Sequence, residues 1–131
     1  MAEDDRPAIE ALVARLEAAW NAADPTAFAA EFTVDADFAN VRGDYSSGCD
    51  AIVHGHAAIW QSIYAGSTIR YSLSRLRPLA PGVLLAHLDA HLRVPAGPLA
   101  GDIIAIPSLV LVSEDGAWRI ASFHNTARVK T

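Results

Sequence analysis

Apolar residues recur at three- and four-residue steps from Ile9 through Leu12, Val13 and Leu16 to Trp20, a spacing that lays one stripe along a helix. Pro7 suits a first helical turn, with Asp4 or Asp5 ahead of it as the N-cap. The stretch "ADPTAFAAEF" starts a second helix, with Asp24 as cap, Pro25 in the first position, and Phe28 and Phe32 turned inward. Asp35–Val41 then reads as a short strand, followed by the turn-rich loop "RGDYSSG". Helical spacing returns from Asp50 to Tyr64, with Ile52, His56, Ile59, Trp60 and Ile63 along one side. Beyond it the period changes to strands, Ser67–Arg77, Val83–Val94, Asp102–Ser113 and Ala117–Val129, broken by "APG", "PAGPLAG" and "EDG". Helices gathered early and strands gathered late, in the order α-α-β-α-β-β-β-β, predict an α+β domain with helices on one face of a curved antiparallel sheet.

Composition narrows the partners. At 131 residues, with 52% hydrophobic and 19% charged positions, one core can bury roughly two thirds of the unfolded surface. A single domain spanning residues 1–131 is expected. The net charge is −5 and no basic cluster exists, which argues against nucleic acid and anionic membranes. The most apolar run, Ile103–Val112, is too short to span a bilayer and contains Pro107. One cysteine, Cys49, permits no intrachain disulfide, and the acidic start lacks the pattern of a signal peptide. A soluble, cytoplasmic protein is the expectation.

The segments "AAWNAADPTAFAAEFTVDADFANVRG", the helix opening near "GCDAI", and the closing "LVLVSEDGAWRIASFHNT" resemble the nuclear-transport-factor-like superfamily. Within it they are most similar to the SnoaL-like branch labelled SgcJ/EcaC, over about Ile9 to Val129. The resemblance implies a cone-shaped α+β barrel, its bent sheet wrapped around the long first helix and a pocket opening into it. It also implies homodimers formed through the outer sheet face. Activities in the superfamily run from ketosteroid isomerases and polyketide cyclases to silent binding domains, and fold alone does not choose among them.

The isomerase chemistry demands a carboxylate base at the end of the first strand and a tyrosine on the first helix. The matching positions here hold Asn40 and, at or near it, Leu16, so that route is missing both groups. Asn40 can orient a ligand carbonyl or a water, or simply hydrogen-bond at a strand end. No dinucleotide fingerprint or nucleophile elbow is present, and no cofactor is expected. Cys49 sits beside Asp50, an unfavourable setting for a thiolate.

The five histidines divide by position. His87, Asp89 and His91 alternate in "HLDAH" and share one strand face at about 7 Å steps, a spacing zinc sites use. The opposite face, Leu84 to Val94, is wholly apolar, so the three are expected outside, at a dimer or solvent surface. His54 and His56 point in different directions on their helix, with His56 on the apolar side. His124 and Asn125 are neighbours on the last strand and cannot both face the pocket unless a bulge intervenes. Strict alternation puts His124 with Trp118 and Ile120, which favours His124 as the inward group and a structural Asn125, although Phe123 argues the reverse.

Two functional readings come first. One is a binder, or a cofactor-independent acid–base enzyme of cyclase, isomerase or hydrolase type, acting on an apolar polyketide-like ligand in secondary metabolism. Its catalytic groups would be His124, His56 and Asn40, and its binding wall Trp20, Phe28, Phe32, Phe38, Tyr45, Trp60, Tyr64, Phe123 and Asn125, with Tyr45 as a lid. The other is a non-catalytic dimeric accessory protein. A metal-dependent enzyme using His87, Asp89 and His91 stands third.

Overall fold

The computed structural model describes residues 2–129. Its order is α1 (Ala2–Asn21), α2 (Pro25–Ala29), β1 (Phe32–Ala39), β2 (Tyr45–Ser47), α3 (Cys49–Trp60), β3 (Thr68–Ala80), β4 (Val83–Val94), β5 (Gly101–Glu114) and β6 (Ala117–Ala127). The strands form one curled, unclosed sheet in the order β2-β1-β6-β5-β4-β3, so β2 and β3 are its edges. Only the β1–β6 pair is parallel. The cone is therefore open on one side rather than a closed barrel.

Three local expectations change. The first helix continues back through Pro7 to Ala2, so Asp4 and Asp5 lie within it rather than capping it. The proline removes one backbone bond near the terminus, where few further turns depend on it. Phe32 opens β1 instead of closing α2, which ends after five residues. The loop "RGDYSSG" contains a three-residue strand, with Tyr45, Ser46 and Ser47 opposite Ala39, Phe38 and Asp37. At α2 the cap is as expected: Asp24 takes the Ala27 backbone N–H on Oδ1 at 3.0 Å, and Pro25 follows in the first turn.

The core lies between α1 and the concave sheet face. Ile9, Leu12 and Leu16 on α1 are fully buried, as are Leu88, Leu109, Leu111 and Ile120 on the sheet. Strand β4 alternates cleanly: Leu84, Ala86, Leu88, Ala90, Leu92 and Val94 are buried, and His87, Asp89 and His91 lie on the other, outer face.

One irregularity decides what faces the cone. On β5, Leu109 and Leu111 are two apart, but their partners on β6, Phe123 and Ile120, are three apart. Ala121 is the extra residue of a β-bulge, which reverses the alternation downstream of it. Ile120 and Phe123 are thus both buried, and Asn125 follows Phe123 inward. His124 is turned out.

Candidate functional site

Strands β1, β3, β4, β5 and β6 and helices α1 and α3 leave a cavity of about 40 Å³ on the concave side. That is roughly the room of three waters. Its walls are mostly apolar, with His56, Asn40, Asn125, Tyr64 and Tyr71 as the groups able to hydrogen-bond. Among the described residues, no carboxylate and no cation lines it.

His56 is held in an aromatic box. Its ring centroid lies 4.3 Å from Phe28, 4.8 Å from Phe38, 5.4 Å from Trp60 and 6.1 Å from Trp20. Nδ1 is 2.8 Å from the Ile52 carbonyl oxygen one turn back on α3. A carbonyl only accepts, so Nδ1 carries the proton and neutral His56 presents Nε2 as a bare acceptor. Burial drives its pKa down to about 4, against a smaller upward pull from the Ile52 bond. His56 is therefore neutral at physiological pH.

Asn125 reaches the same cavity from β6, and its side-chain carbonyl oxygen is buried with no hydrogen-bond partner among the described residues. Tyr71, across on β3, is buried, and its phenol pKa is pushed up by desolvation and by Glu17, so it stays protonated. Trp20 lines the cavity too, donating its indole N–H to Ser67 Oγ at 3.0 Å. The Arg42 guanidinium lies 5.8 Å from the centre of the Tyr64 ring, a cation–π contact at the loop side.

Asn40 touches the cavity, but its amide is committed to the following turn. Its Oδ1 accepts from the backbone N–H groups of Arg42 (2.9 Å) and Asp44 (3.0 Å), and its Nδ2 donates to Asp44 Oδ2 at 3.3 Å. This is the strand-end arrangement, with the amide oxygen fully used and one Nδ2–H left over. Leu16, at the isomerase tyrosine position, is fully buried in the core.

The structure thus gathers Trp20, Phe38, Asn40, His56, Tyr64, Phe123 and Asn125 around one cavity. Phe28, Phe32 and Trp60 stand behind it in the core rather than on its surface. Tyr45 is 62% exposed on β2 and does not line it, which corrects the expectation of a lid. His124 is a second correction: the Ala121 bulge sends it to the outer face, where Nε2 lies 3.2 Å from Asp37 Oδ1 and Ser122 donates to the same oxygen. Tyr71 was not singled out from the sequence, although the Ile69–Tyr71 alternation on β3 marks it as inward.

Other candidates do not converge. Cys49 donates from Sγ to the Thr33 carbonyl at 3.1 Å, and burial with Asp50 nearby raises its pKa, the opposite of an activated thiol. His91 pairs with Asp102 at 3.1 Å on the outer face. No group of three or more His, Cys, Asp or Glu among the described residues is arranged to hold a metal ion. No described helix is long and apolar enough to cross a membrane.

Known structures place this geometry. A domain of unknown function from Nostoc punctiforme superposes with a TM-score of 0.85 at 22% identity, covering 99% of this chain and 81% of its own. An uncharacterised protein from Caulobacter vibrioides gives 0.81 at 29% identity, covering 96% and 91%. Both are described as having a cystatin-like fold. The chain has the cystatin-like fold. A ketosteroid isomerase-like protein from Erwinia carotovora atroseptica shares this cystatin-like architecture, with a TM-score of 0.80 at 15% identity over 96% of this chain and 98% of its own. No family model matches the sequence, and no curated protein does.

Proposed function

We propose that this cystatin-like protein binds a small, largely apolar molecule in the cone, as a SnoaL-like ligand-binding domain. The observation that carries the reading is the concave-face cavity lined by both neutral His56 and Asn125, between aromatic walls. With room for about three waters it is too small for the polycyclic, polyketide-like ligand of secondary metabolism that the sequence resemblance suggests, and a single ring enters only as the walls move apart. The test is titration with small aromatic compounds, followed by fluorescence of Trp20 and Trp60. Saturable binding in the wild type, lost when Ala105→Leu fills the cavity wall, supports it. Binding that ignores Ala105→Leu sinks it.

Cofactor-independent acid–base turnover is the second reading, favoured by the bare Nε2 of His56. A ring with a pKa near 4 is a weak base, and no lining carboxylate steadies its charged form. A binding role with slow or no chemistry fits these residues better. Homodimerisation belongs to the same proposal: Ile104 and Ile106 are 38% and 42% exposed on the outer sheet face, beside the partly buried Val110. Sedimentation at micromolar concentration tests it, and a monomer there rules it out.

A further inference from the structure

We infer that the cone selects ligands presenting a hydrogen-bond donor, such as a ring hydroxyl, over ligands presenting a carbonyl or carboxylate at the same place. This rests on the reading that the cone binds a small molecule, and it specifies the ligand's polarity.

The polarity is set by His56. Its Nδ1–H is tied to the Ile52 carbonyl, so the ring cannot flip to offer a donor to the cavity without abandoning that bond. Its second route to becoming a donor is protonation, and burial away from water, with no lining carboxylate, disfavours an imidazolium. Nε2 therefore meets any ligand as a lone pair. Asn125 also lines the cavity, but its amide oxygen is buried without a donor among the described residues and is not itself exposed there. An acceptor left unpaired in a buried site is expensive, and a ligand donor relieves it only once the amide turns towards the cavity. Asn125 can turn its amide to offer Nδ2 instead, whereas His56 has no such freedom. The phenols of Tyr64 and Tyr71 both donate and accept, so they fit either ligand and do not decide.

A carboxylate ligand meets the reverse of what it needs. It would bring a charge into a cavity without a lining cation and set its oxygens against Nε2. A ketone or ether sets lone pair against lone pair. A hydroxyl donates to Nε2, its ring entering as the walls beside Phe38 and Phe123 move apart.

The experiment compares 4-methylphenol, 4-methylanisole and 4-methylbenzoate, which share a ring and a methyl group and differ in the polar end. Affinities are read by tryptophan fluorescence, and the His56 ring nitrogens by NMR. In the wild type the phenol is expected to bind at least tenfold tighter than the ether or the benzoate and to shift the Nε2 resonance. His56→Phe keeps the aromatic box and removes the acceptor, so the phenol–ether ratio should fall below threefold. Asn125→Leu should reduce it in part. Equal or reversed affinities in the wild type overturn the donor preference and leave cone binding intact, even if neither variant folds. A tenfold ratio that persists in His56→Phe also overturns it. Binding of none of the three removes the underlying reading and this inference together.

Discussion

Phe38 on β1 and Phe123 on β6 lie face to face, their ring centroids 4.7 Å apart and their planes 13° from parallel. They occupy paired positions on the two strands that run parallel, and both line the cavity. The stack therefore joins the short N-terminal strands to the long meander and forms part of the ligand wall.

Truncating that stack should be costly. Phe123 is 1% exposed, so Phe123→Ala should destabilise the fold by about 3–5 kcal/mol, the range for a buried aromatic cut to a methyl. Urea denaturation measures it. A double-mutant cycle with Phe38→Leu and Phe123→Leu should return a coupling of about 0.5–1.5 kcal/mol for the ring pair itself. Independent, additive losses would show that the rings only fill space.

His56 makes stability depend on pH in a defined window. Its folded pKa of about 4 lies below the ordinary 6.5, so between those values the unfolded chain binds more protons than the folded one. Stability is then full above about pH 6.5 and falls as the pH drops towards 4. The loss from this residue approaches about 3 kcal/mol. His56→Phe should flatten that part of the curve. By NMR, the His56 ring should remain neutral at pH 5. A ring that titrates near 6.5 would remove both the window and the fixed neutral acceptor.

Ser67 supplies the one partner of the Trp20 indole N–H, and both are buried. Ser67→Ala leaves that donor unpaired beside the cavity. It should cost about 1–3 kcal/mol and alter Trp20 emission without altering the helix content by circular dichroism. A neutral substitution would mean that a water takes the place of the hydroxyl.

The α+β architecture was legible because strand and helix periods differ so plainly. Strand β4, with apolar residues at every second position from Leu84 to Val94, shows the inner face of the sheet without ambiguity. The aromatic wall was partly legible for the same reason, since inward helix positions such as Trp20 and His56 follow from spacing. Side-chain commitment was not. Asn40 is a polar residue at the right strand end, and only the turn through Arg42 and Asp44 shows that its amide oxygen is already used. Nor was Ala121: a bulge residue needs no special chemistry, and an alanine among Ile, Ser and Phe carries no signal that the alternation reverses. One inserted residue exchanged the roles of His124 and Asn125.

That exchange predicts opposite behaviour for two adjacent residues. His124 is exposed on the outer face, and its link to Asp37 is a surface pair, worth about 1 kcal/mol or less. His124→Ala should therefore change stability by no more than that, and it should leave the affinity for a cavity ligand within about twofold of the wild type. Asn125 lines the cavity and holds an unsatisfied acceptor, so Asn125→Leu should stabilise the empty protein, or leave it unchanged, while weakening ligands that donate to it. Paired melting and fluorescence titrations of the two variants measure both effects. Loss of ligand affinity in His124→Ala, with Asn125→Leu unaffected, would place the bulge elsewhere on β6 and return His124 to the cone.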